Sequence, residues 1–169
     1  YQYGRYLLIS GSSANSQLPT TLQGIWNNNN TAPWYSDIHT NINVEMNYWL
    51  ASAGNLNECL KPLINYMNAM YDAGNYTVTA YTDADTGMMM HTQNTPFGYT
   101  SPGWSISTWG WSPSASTWML QNCYDYYEYS QDTELLRETL FPLMVKQCEM
   151  YRQLLETDSS GKYVFPIAY

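Results

Sequence analysis

The chain is 169 residues long, enough for one ordinary domain, and 44% of it is apolar against 12% charged, which excludes a disordered, charge-rich segment. Its 6 Lys and Arg stand against 14 Asp and Glu, a formal charge of −8, so its surface repels phosphate and argues against a nucleic-acid partner. No window comes near the roughly eighteen consecutive apolar residues of a membrane span.

The sequence begins Tyr1-Gln2-Tyr3, without an initiator Met, and finishes on the apolar Val164-Phe165-Pro166-Ile167-Ala168-Tyr169, where chain ends are usually polar and frayed. It therefore reads as a piece of a longer protein, 1–169 being a fragment of one domain without an internal boundary. Residues 3–10 read as the end of a helix, and from Gly11-Ser12-Ser13 an irregular stretch reaches about residue 40, a length that usually carries function. Helical spacing of Ile42, Met46, Trp49 and Ala53 predicts a short helix stopped by Gly54-Asn55. The next helix takes Leu56, Leu60, Leu63, Ile64, Met67 and Tyr71 as its stripe, has Pro62 at a kink or in its first turn, and ends at Ala73-Gly74-Asn75.

A second irregular region, about 76–111, holds Met88-Met89-Met90-His91-Thr92-Gln93-Asn94-Thr95-Pro96 and the aromatic residues Trp104, Trp109 and Trp111. Ser112-Pro113 then opens a helix with Ala115, Trp118, Met119, Tyr126 and Tyr129 on one face, broken by Ser130-Gln131-Asp132. The last helix, about 133–156, carries Leu136, Leu140, Leu143, Tyr151 and Leu154, with Pro142 near its first third. Asp158-Ser159-Ser160-Gly161 closes it, and residues 162–167 read as a short extended segment. Helical periods outnumber strand alternations, so the fold class is all-α, with long loops gathered on one rim of a helical array.

Cys59, Cys123 and Cys148 are widely spaced within helix-like patterns and read as buried free thiols. With His39 and His91 the only histidines and no paired Cys, neither a zinc site nor any other cofactor is expected. Asp83-Ala84-Asp85-Thr86-Gly87 has its Gly one position early for a calcium loop and lacks the closing Glu, so it is read as a turn.

The richest segment is 22–49, which packs neutral amides, few charges and aromatic rings together. Asparagine is a poor helix former and costly to bury, so such a cluster beside Trp points to a surface that reads a polar ring. A sugar fits: amides and His donate and accept to the hydroxyl rim, and aromatic rings lie against the C–H face.

These residues reach a family. Leu22-Gln23-Gly24-Ile25-Trp26-Asn27, Pro33-Trp34, Asn41-Ile42-Asn43 and Glu45-Met46-Asn47-Tyr48-Trp49 closely resemble the signature of glycoside hydrolase family 95, the inverting α-L-fucosidases and related α-L-galactosidases. The resemblance continues through His91-Thr92-Gln93-Asn94-Thr95, Trp109-Gly110-Trp111 and residues 118–132. It implies a catalytic domain built as an (α/α)6 barrel, of which this chain is the first few helices. It also implies that Asn41 and Asn43 position the attacking water and that His39 is a pocket residue of fucose-active members. The general acid, a Glu, and the general base, an Asp, would lie beyond Tyr169, so the fragment alone is expected to be inactive.

Trp34 and Trp111 are candidate platforms for a sugar face, and His91 and Asn94 candidate donors to its hydroxyls; the plain alternative is that such groups pack helices together. Asn43 is equally a candidate N-cap with Glu45 in its first turn. Asp125 and Glu128, one turn apart among tyrosines, are the nearest in-chain substitutes for an acid, although a solvated helix face explains them as well; Glu45 is a further candidate and equally a buried, paired structural acid. Arg5 and Asp37 are a candidate structural pair.

The expected substrate is a fucosylated oligosaccharide, the linkage α-1,2 to galactose, and the partner protein surface is the remainder of the same domain. The location expected from the resemblance is extracellular, periplasmic or at the cell surface. The rival readings are an α-L-galactosidase, a non-catalytic carbohydrate-binding helical protein, and a helical scaffold.

Overall fold

A computed structural model describes residues 1–101, 110 and 112–165. Helix dominates, and the elements follow in the order α1 (Gln2–Gly11), a 3-10 turn (Pro33–Ser36), β1 (Ile38–His39), α2 (Asn43–Tyr48), a second 3-10 turn (Asn57–Leu60) and α3 (Lys61–Ala69). Then come α4 (Tyr71–Tyr81), β2 (Gln93–Asn94), β3 (Thr100–Ser101), α5 (Ala115–Ser130), α6 (Thr133–Leu135), α7 (Phe141–Leu154), β4 (Glu156–Thr157) and β5 (Tyr163–Val164).

The core forms where α2, α3 and α5 meet, around Val44, Tyr48, Leu60, Leu63, Ile64, Met67, Met119 and Cys123. A smaller cluster of Val78, Ala84, Met89, Met150 and Leu154 joins α4 to α7. Burial of side chains of this size contributes about 1.5–3 kcal/mol each, which outweighs any single polar contact described below.

The first long loop is held by polar bonds rather than by apolar packing. The Ser12 hydroxyl shares a 2.7 Å hydrogen bond with the Tyr48 hydroxyl and donates to the Cys59 carbonyl at 2.9 Å. Thr20 N–H donates to the Tyr48 hydroxyl at 3.0 Å, and Asn47 Nδ2 donates to Thr20 Oγ1 at 3.0 Å and to the Thr21 carbonyl at 3.3 Å. Leu22 N–H donates to the Asp37 carbonyl at 2.9 Å. A loop carrying this many buried backbone groups needs such partners, because each unpaired one costs about 1–3 kcal/mol.

The second loop is tied to the first by a three-stranded antiparallel sheet in the order β1-β2-β3, with Ile38 opposite Asn94 and His39 opposite Gln93. Thr40 extends the junction: its N–H donates to the Thr92 carbonyl at 3.0 Å and its hydroxyl to the His91 carbonyl at 2.7 Å. Strands of two residues have no alternation to read, which is why the sequence gives no sign of this sheet.

Several expectations are corrected. The helix beginning after Ile42 buries Val44, Glu45 and Tyr48, while Ile42, Met46 and Trp49, the anticipated stripe, are exposed. Tertiary contact with α5 selects the face, and that face carries an acid whose place in the core hydropathy alone would not grant. Gly74 does not stop a helix but sits inside α4, where a Cβ would run into the Met88 side chain and where its carbonyl accepts from Met89 N–H at 3.1 Å. It is a site of close approach.

Pro62 lies in the first turn of α3, where its missing N–H costs nothing. Pro142 falls in the first turn of α7, just after a π turn at Leu136–Leu140 that widens the helix ahead of the ring. Asp132, read as part of a break, caps α6 by accepting from Leu135 N–H at 3.0 Å. Gln131, in the left-handed region at φ 57°, ends α5. Cys59 and Cys123 are buried free thiols, but Cys148 is exposed. The extended tail pairs as β4 with β5.

Candidate active site

The approach to α2 is built from unusual backbone. Trp34, Tyr35 and Ser36 have φ of 54°, 59° and 50°, and Asn41 has φ 101°. Left-handed backbone costs a non-glycine residue about 1–2 kcal/mol, and a cluster of such residues persists only where surrounding bonds over-determine it. Here Tyr35 N–H donates to the Ala32 carbonyl at 3.0 Å, and the Ser36 and Thr21 hydroxyls share a 2.7 Å bond. The turn leaves the Trp34 ring half exposed, 6.1 Å from the His39 ring and tilted by 54° to it.

His39 is held by an acid that the motif did not single out. Its Nδ1 lies 3.0 and 3.2 Å from the two oxygens of Asp37, and both side chains are largely buried. Two residues apart in extended backbone, Asp37 and His39 share a face, and that spacing was the available signal. Asp37 therefore pairs with His39 and not with Arg5, whose guanidinium lies over the Tyr1 ring at 5.8 Å. With Nδ1–H donated to the carboxylate, the neutral ring leaves Nε2 as an acceptor, or as a second donor when protonated.

Asn43 is the first residue of α2, and Ile42 occupies the N-cap position without a side-chain bond, so the capping role proposed for Asn43 is not used. Asn41 and Asn43 are both half-buried, and neither carboxamide has a hydrogen-bond partner among the described residues. Several other amides are consumed by the fold. Asn47 holds Thr20 and Thr21, Asn57 Nδ2 donates to the Tyr126 carbonyl at 3.0 Å, and Asn122 Nδ2 donates to the Glu45 carbonyl at 2.7 Å.

Asn94 and His91 lie beneath this surface rather than on it. Asn94 is buried and its Nδ2 donates to the carbonyls of Ile38 and His91 and to Thr40 Oγ1, at 3.2, 2.7 and 3.2 Å, so it braces β1 against β2. His91 is fully buried with its ring edge-on to Tyr81 at 5.3 Å, and burial lowers its pKa to about 4. Trp104, Trp109 and Trp111, the candidate platforms of the second loop, lie outside the described residues.

Of the candidate acids, Asp125 is half-buried on α5, its pKa raised by burial and then by Glu128, which is exposed. Glu45 is fully buried, and its pKa is raised by burial, against smaller opposing contributions from backbone N–H groups and from His39. No group of three or more His, Cys, Asp and Glu side chains able to hold a metal ion occurs among the described residues, and no helix there is long and apolar enough to cross a membrane. What the segment offers chemically is an oriented imidazole near an exposed indole, followed two and four residues later by uncommitted carboxamides.

The family model of the glycosyl hydrolase family 95 catalytic domain matches residues 1–168. An alpha-L-fucosidase 2 from Arabidopsis thaliana is 38% identical over 144 residues, 85% of this chain and 17% of that protein. A probable alpha-fucosidase A from Aspergillus niger is 33% identical over 163 residues, 96% of this chain and 20% of its own length. The chain thus spans at most about a fifth of these curated relatives.

Proposed function

Because the chain belongs to the catalytic domain of glycosyl hydrolase family 95, we propose that it supplies the water-positioning side and part of the sugar pocket of an enzyme that removes terminal α-L-fucosyl groups with inversion. The relatives bear fucosidase names, and the proposed substrate is a fucosylated glycan with fucose α-1,2-linked to galactose. The remainder of the catalytic domain is the proposed partner, and extracellular, periplasmic or cell-surface glycans are the proposed targets.

The observation that carries this reading is the contrast among amides. Asn47, Asn57, Asn94 and Asn122 spend their donors on the fold, whereas the carboxamides of Asn41 and Asn43 remain uncommitted at a strained turn. An inverting glycosidase keeps its two carboxyl groups about 6.5–9.5 Å apart to admit a water on the face opposite the leaving group. One carboxamide oxygen can accept one proton of that water while the Nδ2 of the other donates to one lone pair, which leaves the second proton for the base and turns the second lone pair toward the anomeric carbon, without setting a second negative charge beside an oxocarbenium-like centre.

Asn41 and Asn43 hold the water, His39 contacts the sugar through Nε2, and Trp34 offers its ring to the C–H face. The acid that protonates the leaving oxygen and the base that takes the proton of the water come from outside this chain. His91 and Asn94 serve by holding the strands that carry His39.

The test uses an enzyme with the complete family domain acting on a fucosyl-α-1,2-galactoside, with the product anomer followed by NMR. L-fucose is expected to appear first as the β anomer, and Asn43→Ala is expected to lower kcat by about 100-fold with KM changed by less than about threefold. Release of the α anomer, or an unchanged kcat, overturns the reading. Saturable fucose binding without hydrolysis would favour a carbohydrate-binding protein, and preference for an α-L-galactoside the galactosidase alternative.

A further inference from the structure

Glu45 has no task in the mechanism above, yet among the described residues it is the one fully buried carboxylic acid. Its main-chain carbonyl accepts from Asn122 Nδ2 at 2.7 Å, which fixes α2 against α5. Its Oε1 accepts from the backbone N–H of Asn41 at 3.3 Å, and its Oε2 is buried without a hydrogen-bond partner among the described residues. Burying a carboxyl group so incompletely paired costs several kcal/mol by general experience, so its retention needs a reason beyond packing.

A first-turn acid ordinarily answers the N-cap N–H of its own helix. Glu45 reaches beyond the N-cap residue Ile42 as well, to the N–H of Asn41, outside α2. Asn41 is the residue of this turn with φ 101°, a conformation that asparagine tolerates only when something holds it. Buried acid, strained backbone and uncommitted carboxamide are thus joined by a single hydrogen bond.

We propose that Glu45 is a positioning residue of the water site, which, by holding the Asn41 N–H, fixes the direction in which the Asn41 carboxamide points. The inference rests on the hydrolytic reading of that site. The acid itself touches neither sugar nor water, and its effect is expressed through Asn41 alone.

A kinetic cycle in an enzyme carrying the complete family domain, assayed with an aryl α-L-fucoside, tests it. Glu45→Ala is expected to lower kcat by about 100-fold with KM within about threefold, the signature of lost alignment and not of lost sugar binding. Glu45→Gln keeps an acceptor for the N–H and should stay within about threefold of wild type in kcat. Asn41→Gly keeps the turn but removes the carboxamide; in that background Glu45→Ala should cost less than about threefold more, because nothing is left to aim.

Thermal melts accompany each variant. Should Glu45→Ala fail to fold, Glu45→Asp, one methylene shorter, replaces it in the same cycle with an expected loss of about tenfold that again disappears beside Asn41→Gly. Equal losses in both backgrounds, or a Glu45→Ala enzyme of wild-type kcat, overturn the inference alone. A wild-type enzyme that releases no fucose overturns the hydrolytic reading and this inference with it.

Discussion

The Nδ1 of His39 lies 3.0 and 3.2 Å from the two oxygens of Asp37, so the ring can turn only its Nε2 toward a ligand. Without that carboxylate the imidazole would choose between tautomers and rotamers, and Nε2 would face outward for only a fraction of the time. On the proposed assignment of His39 to the sugar and not to the reacting water, Asp37→Ala is expected to raise KM for a fucoside by about tenfold while changing kcat by less than about threefold. Steady-state kinetics on the complete enzyme decide it; a fall in kcat at constant KM would place His39 in the chemistry instead. The motif in the sequence singled out His39, Asn41 and Asn43 as candidates, and the structure shows that Asp37 holds the first of them. The motif was silent about Asp37, because a lone acid two residues from a histidine is common and only the extended backbone of β1 gives the pairing its meaning.

At the scale of elements, glycine is the residue whose role the sequence left ambiguous. Gly74 reads as a helix stop, yet α4 runs through it to Tyr81, and the space above it is filled by Met88. Ala at this position would gain about 1 kcal/mol of helix propensity but drive its methyl into Met88 Cγ, with Met88 Cβ 3.2 Å and Sδ 3.3 Å away, an overpacked contact costing about 1–3 kcal/mol. Packing wins, because Met88 is itself pinned: its N–H donates to Gln147 Oε1 and its carbonyl accepts from the Ser116 hydroxyl. Gly74→Ala is expected to lower stability by about 1 kcal/mol, measured as the urea midpoint. Helix existence was readable from apolar periods, as α3, α5 and α7 bear out. Which face a short helix buries was not. In α2 the period named Ile42, Met46 and Trp49, whereas the neighbours it packs against, and the bond from Asn122, bury Val44, Glu45 and Tyr48.

For the molecule as a whole, two buried titratable groups pull stability in opposite directions with pH. His91 has a folded pKa lowered to about 4 by burial, below an unfolded value near 6.5, so the folded state is favoured with the ring neutral. Its contribution is complete above about pH 6.5 and is lost as pH falls through about 4, a total of about 3 kcal/mol by linkage. Glu45 works the other way: burial raises its folded pKa, so ionising it costs stability, and that cost grows as pH rises above its unfolded value. Both sit against the junction of the two long loops, His91 through the Thr40 bond and Glu45 through the Asn41 bond. Between pH 7.5 and 4 the urea midpoint of His91→Leu should therefore lose less, or gain more, than that of the wild type. Glu45→Gln should instead be more stable than wild type at neutral pH, with the difference shrinking as pH drops and Glu45 becomes neutral in the wild type. Parallel pH profiles for wild type and both variants would mean that water reaches these side chains, and that the seam between the loops is open rather than sealed.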